Sequence, residues 1–335
     1  MVQPQVKMLC SDISHMALLY VWRDSGVTQK HGFELTVHMA NVEAAGQPFI
    51  QMSERGPKLL DGTYDFLSGL HHETYIYRAR GDKRFMYMAQ AQNDWDDRVV
   101  AAEGINSVKD LEGKKFIIHS TAPCVFGNLK HSLEIGGANT SKIEFIELNA
   151  PRGLHCRDAV DEVVRGGASA ASVDLPFDLQ GIKKGLHRLE IPSVPVIHNA
   201  TMCASRPWVE ENEDTTIAFL KSMIDTIHFF KTEKEKVCDI LERNLSPLIG
   251  MEGREEVEHL QEGWANLLSA KPYPHPLAVW NVYNLDVAHD PQVNFIGPFE
   301  IWDTSLLRSI DDSGYIDELY GGQRQAVNPP VSAVI

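Results

Sequence analysis

The stretch DFLSGLHHETYIYRARG, Asp65 to Gly81, places His71, His72 and Glu73 where a strand-like run hands over to a helix-like one. An imidazole with its ordinary pKa of about 6.5 carries protons in either direction at neutral pH, and a neighbouring carboxylate raises that value. Glu73 with one of the two histidines would thus form an acid/base pair. Only one histidine is expected to reach a ligand, since adjacent side chains seldom point the same way. The plainer reading is that Glu73 or Thr74 caps the helix TYIYRAR.

Further polar residues follow other strand-like runs. Asp12 and His15 follow VKMLC, Trp95 and Asp96 lie in QNDWDD, His119, Ser120 and Thr121 follow KKFII, Asp174 follows ASAASV, and His198 follows VPVI. Four strand ends therefore present a histidine. Ser120 and Thr121, with the free amides of the next helix, would cradle an anion such as a carboxylate or would simply cap that helix. Cys124 in the same first turn is acidified by its position, and His119 would be its partner if it were a nucleophile. Trp95 would stack on a planar ligand or bury itself at a hinge, and Phe177 could add an aromatic wall near Asp174. His198 is either a ligand contact or a satisfied core histidine. Basic groups for a multiply charged anion are scarce, with Arg78, Arg80 and Arg152 the nearest.

No HxH, HExxH or Cys/His knuckle occurs, so a metal site could arise only by folding together His15, His71 or His72, His119 and a carboxylate. A divalent metal stays open on that basis. No Gly-rich dinucleotide or P-loop fingerprint calls for an organic cofactor, and none is expected.

The elements that must position these residues alternate between strand and helix: VKMLCSDI, FELTVHMAN, GTYDFLSG, RFMYMAQAQ, KKFIIHS, KIEFIELNA and ASAASVDLP are strands, with helical runs between them. The segment WVEENEDTTIAFLKSMIDTIHFFKTEKEKVCDILERN is strongly helical, with Ile217, Leu220, Ile224, Ile227 and Phe230 at helical spacing. Such alternation predicts mostly parallel sheets flanked by helices, with ligands beyond the carboxyl ends of the strands. The tail from Lys271 is rich in Pro, Asn and aromatics, and NPPVSAVI is expected to fray.

The chain of 335 residues carries 46 acidic and 31 basic side chains, a formal charge of −15, which argues against nucleic acid as partner. No apolar run is long enough to insert in a membrane. Cys10, Cys124, Cys156, Cys203 and Cys238 are spread without CxxC pairing and read as reduced thiols. With no basic-then-apolar start, the expected compartment is the cytoplasm, and a homo-oligomer is compatible with the composition.

In order, GFELTVHMAN, ERGPKLLDGTYDFLSG, YRARGDKRFMYMAQ, SVKDLEGKKFIIH, FLKSMID and SGYIDELYG resemble the type 2 periplasmic binding protein superfamily. The similar branch holds sulfonate/nitrate-type solute receptors and the thiamin-pyrimidine synthases. The resemblance implies two α/β lobes closing on a ligand cleft: residues 1–98 with 203–320 as one lobe, 99–202 as the other, and 321–335 as a tail. The synthases carry a histidine where this sequence has Glu73, and their cysteine-rich run is replaced by VIHNATMCAS, so that chemistry does not transfer. The superfamily also includes cytosolic enzymes such as 4,5-dihydroxyphthalate-type decarboxylases.

Two functional expectations follow. The first is a cytosolic lyase or decarboxylase acting on a small aromatic or heterocyclic carboxylate. There His71, His72, Glu73 and His119 would move protons, and Asp12, His15, Trp95, Asp96, Ser120, Thr121, Asp174 and His198 would bind. The alternative is a solute-binding protein of an importer, with the same cleft and no catalysis. The histidine-rich strand ends lean the sequence towards the enzyme.

Overall fold

The computed structural model describes residues 3–10, 16–40, 50–70, 72–95, 97–121, 123–148, 154–197 and 200–327. Among the described residues, ten strands form two five-stranded sheets. The first sheet contains Gln5–Cys10 (β1), Glu34–Met39 (β2), Phe66–Ser68 (β3) and Phe85–Gln90 (β4). The second contains Arg98–Ala101 (β5), Lys115–Ile118 (β6), Glu144–Glu147 (β7), Ala170–Val173 (β8) and His187–Leu189 (β9). Thr201–Ser205 (β10) returns to the first. The orders are β2-β1-β3-β10-β4 and β7-β6-β8-β5-β9.

The alternation in ELTVHM is that of a strand with one wetted face, and every second residue of β2 is indeed buried. The strands β3, β8 and β10 are buried throughout, as central strands covered on both faces should be. β4 is an edge strand yet wholly buried, because residues 301–303 run along it: Tyr87 N–H donates to Ile301 O at 2.7 Å and Asp303 N–H to Tyr87 O at 2.9 Å. An edge covered in this way offers no template for foreign pairing.

Each sheet is parallel except where the chain changes sheets. β1 pairs in parallel with β2 and β3, and β6 with β7 and β8. β10 is antiparallel to β3 and β4, and β5 is antiparallel to β8 and β9. The two crossing segments, one after β4 and one before β10, pair with each other. Trp95 N–H donates to Val194 O at 3.1 Å, and Val196 N–H to Asn93 O at 2.9 Å.

The sequence reading differs from the structure at these crossings. VPVI is not a strand: Pro195 makes one isolated bridge to Asp94, and prolines at 192 and 195 withhold the amide hydrogens a ladder needs. β5, β9 and β10 carry too weak an alternation to be read as strands. The helical run near 208–244 breaks into Arg206–Glu211, Glu213–Thr232 and Lys234–Asn244. The segment beyond Lys271 folds into the helices Pro276–His289, Ser305–Asp312 and Tyr315–Leu319.

The core of the first sheet rests on the long helix Glu213–Thr232. Phe219 stacks on Phe66 at 3.7 Å between ring centroids and tilts against Trp22 at 4.6 Å. The later helices then reach the second sheet. Helix Arg254–Leu267 packs on Phe177–Lys183 so closely that a Cβ at Gly263 would lie 2.4 Å from Leu175 Cδ1. Helix Pro276–His289 lies between helix Glu73–Ala79 of the first sheet and the π-helical turn Pro123–Gly127 of the second. The carboxyl-terminal third thus buttresses both sheets.

Candidate functional site

β6 and β8 are parallel neighbours, with Ile117 opposite Ala171, so the residues that follow them emerge at the same sheet end. His119 follows β6 and Asp174 follows β8, and His119 Nε2 stands 3.8 Å from Asp174 Oδ1. On its other side His119 Nδ1 stands 3.6 Å from Asp97 Oδ2. β5 is antiparallel to β8, with Arg98 opposite Val173, and this brings Asp97, at the end of the crossing segment, to that same place. Ser172 Oγ–H donates to Asp97 Oδ2 at 2.9 Å and fixes that carboxylate. The Asp97 side chain is fully enclosed, His119 nearly so, and Asp174 keeps 16% of its side-chain surface exposed.

Helix His155–Val164 completes the cluster. His155 is buried, and its ring lies 5.5 Å from that of His119. Cys156, also buried, accepts the backbone N–H of Asp174 at Sγ, 3.4 Å away. Neither residue stood out as a site residue in the sequence, where Cys156 read only as a reduced thiol, because both lack a recognisable spacing to His119 or Asp174. The helical period would have placed them at a helix start facing β8, but not opposite which residue. One atom each of His119, Cys156 and Asp174 lies within 4.8 Å of the other two.

At the first sheet, Gly69 takes φ 92°, in the left-handed region, and turns the chain out of β3 towards His72. His72 precedes helix Glu73–Ala79 without capping it by its side chain. Instead its Nδ1 is hydrogen-bonded to Asp286 Oδ1 on helix Pro276–His289. Burial pushes the Asp286 carboxyl above the ordinary carboxylate range, an effect that the hydrogen bond and charge of His72 and the charge of His289 offset only in part. Glu73 is half-buried in the first turn of its helix, where a carboxylate complements the partial positive charge of the free amides.

The crossing segments carry the remaining described residues. Trp95 is 4% exposed and packs into the core beside the crossing segment it is bonded to, with no acceptor for its indole N–H among the described residues. Burial raises the pKa of Asp94 next to it. Ser120 is buried. Thr121 directs its backbone N–H and its hydroxyl to the carboxylate of Glu147, 3.3 Å in each case, so the anion at this turn is the chain's own. Asp12, His15, His71, Asp96 and His198 lie outside the described residues, as does the side chain of Cys124. Two groups of described polar residues therefore meet: His119, Asp97 and Asp174 with His155 and Cys156, and His72 with Asp286 beside Glu73. Cys10, Cys156, Cys203 and Cys238 are buried thiols, and burial pushes Cys203 up to about 12 and Cys238 up to about 11. No helix among the described residues is long and apolar enough to cross a membrane.

Two mixed sheets flanked by helices and joined by two paired crossings define the two-lobed type 2 periplasmic binding protein fold. Solved structures agree. The periplasmic sulfonate-binding protein SsuA from Methylobacillus flagellatus KT superposes with a TM-score of 0.66 at 14% identity, over 98% of this chain and 99% of that one. The periplasmic nitrate-binding protein NrtA from Synechocystis PCC 6803 gives 0.59 at 12%, over 93% and 89%. A DSZB mutant in complex with biphenyl-2-sulfinic acid gives 0.62 at 11%, over 93% and 100%. The family model described as NMT1/THI5 like matches residues 58–234, more than half of the sequence, and the chain belongs to that family. No curated protein sequence matches it.

These findings correct the leaning towards an enzyme. The similar structures are described as sulfonate-binding and nitrate-binding proteins, and such a fold needs only to close on a ligand. Histidines at strand ends, which suggested a lyase or decarboxylase, are equally the groups with which a cleft recognises a solute.

Proposed function

We propose that this protein is a solute-binding protein of the sulfonate/nitrate-type class, holding a small polar molecule between its two sheets without transforming it. The observation that carries this reading is the meeting of Asp97, His119 and Asp174 where the crossing segment enters the second sheet. Groups at that point feel any change in the angle between the sheets. A ligand bridging the sheets there would favour the closed arrangement by its contacts with both.

The charge of the site narrows the ligand. Asp97 and Asp174 flank His119, and the turn amide of Thr121 already serves Glu147. Arg98, next to Asp97, directs Nη1–H to the Asp97 carbonyl at 3.3 Å. Such a setting favours a solute that brings hydrogen-bond donors or positive charge, an amine or a nitrogen heterocycle, over a bare oxyanion. The second reading, an oxyanion, is favoured by similarity to structures described as sulfonate-binding and nitrate-binding proteins.

Calorimetric titration with three sets, amines and nitrogen heterocycles, alkanesulfonates, and nitrate, separates the two. One-site saturable binding by the first set supports the reading in full. Binding confined to the sulfonates or nitrate retains solute binding and replaces the ligand class. Chemical conversion of any bound solute sinks the proposal.

A further inference from the structure

We propose that His119, Cys156 and Asp174 form a binding site for a zinc-class divalent metal ion, with Asp97 orienting the histidine. Three observations carry it. The three donor atoms lie within 4.8 Å of one another, whereas donors held about 2.0–2.3 Å from zinc in a tetrahedron stand roughly 3.3–3.8 Å apart. A contraction of at most roughly 1–1.5 Å, within the reach of side-chain rotation, brings them to ligand distance.

The second observation is the support around the histidine. Metal-bound imidazoles direct their other ring nitrogen to a carboxylate or carbonyl, which fixes the ring and raises its basicity. His119 has Asp174 on the Nε2 side at 3.8 Å and Asp97 on the Nδ1 side at 3.6 Å, and Asp97 is in turn held by Ser172. Metal contraction on one side and hydrogen bonding on the other would act along the same ring axis.

The third is how the chain places Cys156. Its Sγ faces the backbone N–H of Asp174 at 3.4 Å, which sets the sulfur beside that residue. Thiolate, imidazole and carboxylate together suit a borderline-soft ion, and a buried sulfur is a poor neighbour for calcium or magnesium, which take oxygen. Three protein ligands leave one coordination position open, and the partial exposure of Asp174 gives a route in. This inference shares His119, Asp97 and Asp174 with the solute reading but does not depend on it, since its test reads metal binding alone.

The test uses the full chain, stripped with a chelator and titrated with zinc or cobalt chloride and no other ligand. One equivalent should bind, and the cobalt form should show a thiolate-to-cobalt charge-transfer band with the visible bands of a tetrahedral site. Cys156→Ser should abolish the charge-transfer band, and Asp97→Asn should weaken binding by about 10- to 100-fold while the visible bands persist. A wild-type cobalt spectrum without the thiolate band overturns the proposal, and this result requires no variant to fold. Undiminished affinity in a folded Cys156→Ser, His119→Ala double variant also overturns it, by assigning the metal to other residues.

Discussion

His72 Nδ1 is hydrogen-bonded to Asp286 Oδ1, a contact between residues 214 positions apart that ties helix Glu73–Ala79 to helix Pro276–His289. The Asp286 side chain is 1% exposed and that of His72 is 15% exposed. The carboxylate therefore depends on this imidazole for its charge.

His72→Ala is expected to destabilise the protein by about 3–5 kcal/mol at neutral pH, the usual cost of leaving a buried charge without its partner. The carboxyl of Asp286 already lies above its ordinary value through burial, and losing His72 raises it further. A folded-state value above the unfolded one gives a contribution that is present below the unfolded pKa and lost as pH rises through the folded one. The variant's deficit should thus shrink on going from pH 7 to pH 5 in urea denaturation. A deficit independent of pH would refute the assignment.

Asp178 behaves in the opposite sense. Burial would raise its carboxyl, but the hydrogen bond from His259 and the charges of His259 and Arg188 bring it below the ordinary range. Its folded pKa lies under the unfolded value of about 3.9, so the stabilisation is full above that pH and declines as pH falls through the folded value. Because His259 lies on helix Arg254–Leu267 and Asp178 on Phe177–Lys183, acid should loosen the buttress on the second sheet. Asp178→Asn should flatten the acid limb of a thermal-stability profile and cost about 3–5 kcal/mol at pH 7.

Gly263→Ala tests how tightly that buttress is packed. The added Cβ would meet Leu175 Cδ1 at 2.4 Å, and Leu175 is itself buried. Overpacking of this kind costs about 1–3 kcal/mol, although alanine favours a helix over glycine by roughly 1 kcal/mol. Net destabilisation in chemical denaturation is expected, whereas a gain in stability would mean that Leu175 has room to turn aside.

Trp22 anchors the core of the first sheet. It is fully buried, donates its indole N–H to Ser222 Oγ at 2.8 Å and packs on Phe219. Trp22→Ala is expected to cost about 3–5 kcal/mol, read as a lower denaturation midpoint with an unchanged slope.

Much of the architecture was legible in order and type. The alternation of FELTVHMAN, the buried run ASAASV and the long apolar stripe around Leu220 and Ile227 all report local burial, which sequence period records directly. β5, β9 and β10 were not legible, since their pairing partners lie across a sheet change. The crossing residues Asn93 to Trp95 and Val194 to Val196 obey contacts to each other rather than local propensity. The tail past Lys271 read as irregular, yet it folds into helices that cover β4 and brace both sheets.

The site divides in the same way. Sequence alone determined that His72, Glu73, His119, Thr121 and Asp174 follow strands, because a strand's end is set by its own residues, and it determined the order of motifs that marks the superfamily. Only the tertiary structure decided that His119 meets Asp97, Asp174 and Cys156, that Thr121 turns to Glu147, and that His72 spends its imidazole on Asp286. Those meetings depend on sheet order and on helix rotation. Both are fixed by the burial of apolar surface summed over the whole chain, and no window of residues contains that sum.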